Sequence, residues 1–433
     1  MYLQSCCRFS PLLALWLVAI LMLSVSSAQA AAMLPLEKAV AEALSANPSL
    51  AAIEARARAL AEIPDQAESL PDPRLSVNML NLPLDSLSFT QEGMTQVQVG
   101  ITQALPYPGK LALRAQAASQ EARAAESDLE ERRLQLVRDV KTVWWNLLYL
   151  DRALEVIARN QVLLAQFVNV AETRYTVGRG LQQDILLAQL ELSRLSDNEI
   201  RVQNVRENEA VRLNVLMDRP AARSIQLPAT VDEALLTPAN VAVLQQRAVI
   251  ARPSLAAQSE RMGAARSRVE LAKEAYAPDF NVGAVYGLRR GNNPDGSSRA
   301  DFGSILFSMN LPVYTGSKQD RAVDQRNAEW MQKKYQLHDQ RNQVASQVQQ
   351  AMTDYRRASE QAQLFQQDII PQAYQTVDAM LAGYQVGKVD FLNLVRAQTT
   401  LYNYETQYWK ALSAANQAMA RLVAAVGEET IYE

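Results

Sequence analysis

Cysteine is almost missing from this chain: the only two, Cys6 and Cys7, lie just ahead of an apolar run over 12–25. Arg8, that run and Ala28-Gln29-Ala30 are the three parts of an export signal, and they predict a leader over 1–30 cut after Ala30. The mature chain then has no thiol, which excludes disulfides and thiolate metal sites. Histidine is reduced to His338. Neither sign of charge dominates, with 43 Lys+Arg against 46 Asp+Glu and no basic block, so no nucleic-acid partner is expected. After the leader no apolar stretch approaches the ~18 residues of a membrane-spanning helix. That test says nothing about a membrane β-barrel, whose strands alternate. G-x-S-x-G, P-loop, H-E-x-x-H and C-x-x-C patterns are all absent. No enzyme, no cofactor, and no catalytic, cofactor-binding or metal residue is therefore expected.

What is present is length in one direction. Residues 111–175 contain neither proline nor glycine. From Leu136 they carry a 4-3-4-3 stripe through Val140, Val143, Leu147, Leu150, Leu154 and Ile157, then Leu164, Val168, Ala171 and Tyr175, broken at Gln161. That is a heptad seam, and it predicts a rod of roughly 100 Å at 1.5 Å per residue. Val137, Trp144 and Leu148 add a second apolar line, so the rod can take a neighbour on each side.

Along the chain, a first repeat over 31–219 opens with helical periodicity over 35–69, which gives way at Pro71-Asp72-Pro73 to alternation of period 2, at Leu75, Val77 and Met79 and again at Val97, Val99 and Ile101. A hairpin over about 74–105 is expected, then the rod, a return helix over 181–217 and an irregular connector over 220–243. The plan then recurs over 244–427, with a hairpin at about 280–312, a long helix at about 317–382, a return helix at about 389–426 and a tail over 428–433. Leu105-Pro106 is echoed by Leu311-Pro312, Leu136/Val140/Val143/Leu147 by Val344/Val348/Ala351/Tyr355, Tyr175-x-x-Gly178 by Tyr384-x-x-Gly387, and Ala188-Gln189 by Ala397-Gln398. Several echoes in one order point to an internal two-fold repeat. The second hairpin alternates Phe280, Val282, Ala284, Tyr286 and Leu288, then Ile305, Phe307 and Met309, with Leu306 out of step.

Strands of about 10 residues match the span of a tilted membrane strand. Four of them cannot close a barrel, and an open edge in lipid costs several kcal/mol per unpaired backbone group. Pooling strands from three copies would give twelve. The competing reading is a soluble periplasmic coiled-coil adaptor or scaffold, which would share the export signal and the long helices but would need no membrane-length hairpins.

The duplicated plan, the exits Leu105-Pro106-Tyr107-Pro108-Gly109-Lys110 and Leu311-Pro312-Val313-Tyr314-Thr315-Gly316, and the paired tips resemble the TolC-type outer-membrane efflux proteins, most of all the branch serving heavy-metal pumps. The resemblance implies a mainly α fold with membrane β: a homotrimer with a 12-stranded outer-membrane β-barrel and a long periplasmic α-barrel. It implies a passive exit duct, set in outer-membrane lipid and joined through a periplasmic adaptor (a membrane fusion protein) to an inner-membrane pump of the resistance-nodulation-division type. The cargo would be metal cations or drugs. It further implies a gate just after the tip glycines, matched here by Asp184 and, with departures from the acidic pattern, by Asn393, Asp390 and Arg396. The adaptor would meet the tips at Tyr175, Val177, Gly178, Arg179, Tyr384, Val386, Gly387 and Lys388.

Overall fold

The computed structural model describes residues 33–428 and 431–432. The expected leader over 1–30 lies outside the described residues. Three helices open the chain, α1 (Leu36–Ala46), α2 (Pro48–Ala61) and α3 (Ile63–Glu68). Asn47 makes the break between the first two. Its side chain accepts the Leu50 N–H at 3.1 Å, capping α2, and donates to the Leu216 carbonyl at 2.9 Å. Strands β1 (Arg74–Leu80) and β2 (Gln96–Leu105) form the first hairpin. The rod is α4 (Lys110–Thr176), an unbroken helix of 67 residues, and α5 (Gln182–Leu216) returns beside it.

The second half runs α6 (Val241–Ala251), α7 (Pro253–Lys273), β3 (Phe280–Arg289), β4 (Phe302–Met309), α8 (Gln319–Leu364), α9 (Ile370–Gln385) and α10 (Phe391–Val426). Two expected boundaries need correcting here. The helix foreseen as one piece over 317–382 is interrupted by a π-helical turn, Phe365–Ile369. Pro371, in the first turn of α9, is the cause: it offers no N–H to the carbonyl four residues back, and the wider turn relieves the clash. The connector foreseen to 243 gives way to α6 at Val241, because the Asn240 side chain accepts the Ala242 N–H at 2.9 Å and caps the helix.

That connector is irregular but tied down. Ile225 is buried in the core, Arg206 donates to its carbonyl at 2.6 Å, and Tyr408 and Tyr355 donate to Glu233 and to the Leu236 carbonyl.

The core is threaded along the rods. Leu136, Val140, Val143 and Leu147 of α4 pack with Ala39 and Ala43 of α1 and Leu213 of α5. Val344, Val348 and Ala351 of α8 pack with Leu244 and Ala248 of α6 and Leu422 of α10. Burying a side chain of this size contributes about 1.5–3 kcal/mol. Lower down, the heptad spacing holds at Ile157, Leu164 and Ala171, but the alternate positions shift by one residue, to Ala153, Asn160 and Phe167 in place of Leu154, Gln161 and Val168, and Leu154 is only half-buried. Asn160 fills the position at which the seam breaks, and Gln398 of α10 donates to its side-chain oxygen at 2.6 Å.

The strands form one antiparallel sheet in the order β1-β2-β3-β4. Register sets its two faces, since directly paired residues lie on the same side. Leu75–Ile101–Ala284–Ile305 is one row and Val77–Val99–Tyr286–Gly303 the next, so one face is apolar. The other holds Ser76–Gly100–Val285–Ser304 and Asn78–Gln98–Gly287–Phe302. Leu306 falls on this second face, opposite Gly283. A Cβ added at Gly100 would meet Val285 at 2.8 Å, and one at Gly283 would meet Thr102 at 2.7 Å. The polar face is the crowded one. The apolar face fans outward, with Leu75 73%, Ile305 88% and Phe307 65% exposed.

Candidate functional site

Opposite the sheet, the rods turn over at two tips. Each turn is a Schellman motif. At the first, Gly178 (φ +72°) donates to the Tyr175 carbonyl at 3.0 Å and Arg179 to the Arg174 carbonyl at 2.8 Å. At the second, Gly387 (φ +77°) donates to Tyr384 at 3.0 Å and Lys388 to Gly383 at 2.9 Å. The left-handed conformation is why glycine stands at both positions. Val177 and Val386 project into solvent, 63% and 69% exposed.

The two tips are not equivalent. Tyr175 is exposed, whereas Tyr384 is only 3% exposed. The Arg174 guanidinium stacks 4.5 Å from the Tyr384 ring centre, donates to the Tyr384 carbonyl, and reaches the Arg179 carbonyl at 3.3 Å. The Tyr384 ring also meets Phe391, at 5.1 Å between centres, and its hydroxyl donates to Asp184 Oδ2 at 3.4 Å. Burial, and then the Asp184 charge, push the Tyr384 hydroxyl above its ordinary pKa, so it stays a donor at neutral pH. Asp184 itself sits half-buried in the first turn of α5, where the helix N-terminus favours a carboxylate.

Asp184 and Tyr384 are thus brought together within one chain, with Arg174 as the third member. Asp390, Asn393 and Arg396 lie exposed around the start of α10. Arg396 makes no ion pair among the described residues. Sequence reasoning missed Arg174. The signal was available: at the repeat offset Arg174 is matched by Gly383, so the echo fails at the residue that clasps the two tips.

Among the described residues no group of three or more His, Cys, Asp or Glu could hold a metal ion, and no helix is long and apolar enough to cross a membrane.

Known proteins share this architecture. Escherichia coli (strain K12) outer membrane protein TolC is 21% identical over 281 residues, which is 62% of this chain and 56% of TolC, so the chain spans a little over half the length of that relative. Among solved structures, the outer-membrane channel OprN superposes with a TM-score of 0.77 at 18% identity, covering 90% of this chain and 89% of OprN. The outer membrane protein VceC of Vibrio cholerae gives 0.76 at 21% identity, covering 91% and 96%. The description of one family, outer membrane efflux protein, matches residues 39–218 and again 244–428. Both halves of the molecule, from α1 to α5 and from α6 past α10, are covered by that match, and the chain belongs to the outer membrane efflux protein family.

Proposed function

We propose that this chain is the outer-membrane exit duct of a tripartite efflux system. Three copies would close their sheets into a 12-stranded barrel and their rods into a periplasmic tube, which docks through the tips to an adaptor and an inner-membrane pump. The cargo, a metal cation or a drug, would be chosen upstream by that pump.

The observation that carries this reading is the sheet. Its outward face is apolar, its inward face is polar, and the outer edges of β1 and β4 have no partner strand among the described residues. In lipid those edges must be paired. The helices support the same assembly: Leu186, Leu190, Ile200, Val211 and Val215 are exposed on α5 and fall on one stripe, as an interface with another copy requires.

The gate in this reading is the tip. Asp184 held by Tyr384 closes each copy on itself, and Arg396 is free to reach a neighbour. Tyr175, Val177, Gly178, Arg179, Val386, Gly387 and Lys388 form the surface offered to the adaptor. Fractionation tests the whole proposal. The protein should need detergent for release from the outer membrane and run as a heat-sensitive oligomer on an unheated gel. A monomer that washes off membranes in buffer would instead be the soluble coiled-coil scaffold.

A further inference from the structure

The four strands contain two charged residues, Arg74 and Arg289, and both are cations. Arg74 is in row with Thr102, Gly283 and Leu306, and Arg289 with Gln96 and Leu80. Both rows belong to the polar face. They are separated along β2 by the stretch from Gln96 to Thr102, about 20 Å at the usual strand rise.

No carboxylate cancels either charge by pairing with it. Arg74 is exposed and has no ion pair among the described residues. The Arg289 guanidinium donates to the Gly93 carbonyl at 2.7 Å and the Ala300 carbonyl at 3.3 Å, and stacks 4.3 Å from the Phe302 ring centre, all neutral partners. The nearby acids are placed otherwise. Asp279 is engaged by Lys110 at 2.8 Å. Asp301 accepts the hydroxyl of Tyr286, a residue of the apolar face, at 2.6 Å and the backbone N–H of Arg289 at 2.8 Å, so it lies beside Arg289 without pairing with its guanidinium, and Asp72 precedes Pro73 outside the ladder. At the mouth beyond Arg289, the loops carry Arg290 and Arg299 together with Asp85, Glu92, Asp295 and Asp301, so the mouth is net acidic and the cationic character is confined to the strands below it.

We infer that the barrel bore is anion-preferring, and that the duct passes anionic or uncharged organic molecules in preference to bare divalent cations. The inference rests on the exit-duct reading and deepens it. Three copies around an axis set Arg74 and Arg289 as two stacked cationic rings, and a ring of one sign in a narrow path selects the opposite ion. In dilute salt the field of each ring reaches across the bore, since the screening length is about 30 Å at 0.01 M and about 3 Å at 1 M.

The test is the reversal potential of the purified oligomer in planar bilayers under a tenfold KCl gradient in dilute salt. It is run in an Asp184→Ala background, so that the acid at the far end does not set the selectivity. The chloride-to-potassium permeability ratio should exceed one and fall about twofold or more with Arg74→Glu, and the effect should fade near 1 M salt. Adding Arg289→Gln should carry the ratio lower still. Arg74 has no side-chain ion pair to lose, so its substitution leaves the sheet intact. A potassium-preferring parent channel, or a ratio unmoved by Arg74→Glu, overturns this inference and leaves the duct standing. No conductance at all overturns both.

Discussion

At the tip, three side chains do what the helices alone cannot. Arg174 reaches across to the second hairpin and Tyr384 points back at Asp184. In the proposed gate, Asp184→Ala together with Arg396→Ala should raise single-channel conductance in planar bilayers, and an unchanged conductance would remove the gate assignment. A second residue-scale contact is built into the α1 end of the molecule. Arg219 hydrogen-bonds Glu42 through both carboxylate oxygens and holds its carboxyl below the ordinary value of 4.5. A depressed carboxyl contributes stability that is full above its unfolded pKa and is lost as pH falls through the folded one. With both side chains partly open to solvent, the contribution is on the order of 1 kcal/mol or less. Glu42→Gln should therefore lower the thermal midpoint slightly at pH 7, and the gap from the parent should close as pH is brought below about 4.

The elements differ in how far they could be read in advance. Alternation of Leu75, Val77 and Met79 and the stripe from Leu136 to Leu147 depend only on the local period of a strand or helix, and they fixed the mainly helical fold with four antiparallel strands. Farther along, the stripe held at Ile157, Leu164 and Ala171 and shifted by one residue at its alternate positions, to Ala153, Asn160 and Phe167. Asn160 meets Gln398, a partner 238 residues away, and no local pattern announces such a pair. The same holds for Arg174 on Tyr384, and for the connector tyrosines on Glu233 and Leu236. The break at Phe365–Ile369 was legible in Pro371 and was passed over.

The buried polar pair yields an element-scale expectation. Asn160→Leu alone strands the Gln398 amide and should cost about 1–3 kcal/mol, whereas Asn160→Leu with Gln398→Leu should recover most of it. Thermal unfolding of the single and double variants measures the difference. Equal losses in both would mean that the pair is not coupled.

For the whole molecule, two architectures meet end to end. The sheet presents one apolar face and one polar face, and the rods carry their cores between α4, α5, α8 and α10. The junction is bolted where Lys110, the first residue of α4, donates to Asp279 at 2.8 Å and to the Ala277 carbonyl at 2.9 Å. The tip acids were singled out through the family resemblance, by their distance from the paired Tyr-x-x-Gly turns that end each rod. The cationic bore was not, because it emerges only when register assigns Arg74 and Arg289 to one side of the sheet.

The bare flanks of β1 and β4 have a consequence for the life of the newly made chain. In the proposed assembly, each copy displays two sticky templates, on which any wandering extended peptide could grow, until it finds its companions. Such a polypeptide should be safest when escorted and scarce, and its maturation should quicken steeply as copies accumulate, because the hazard and the cure are the same pair of seams.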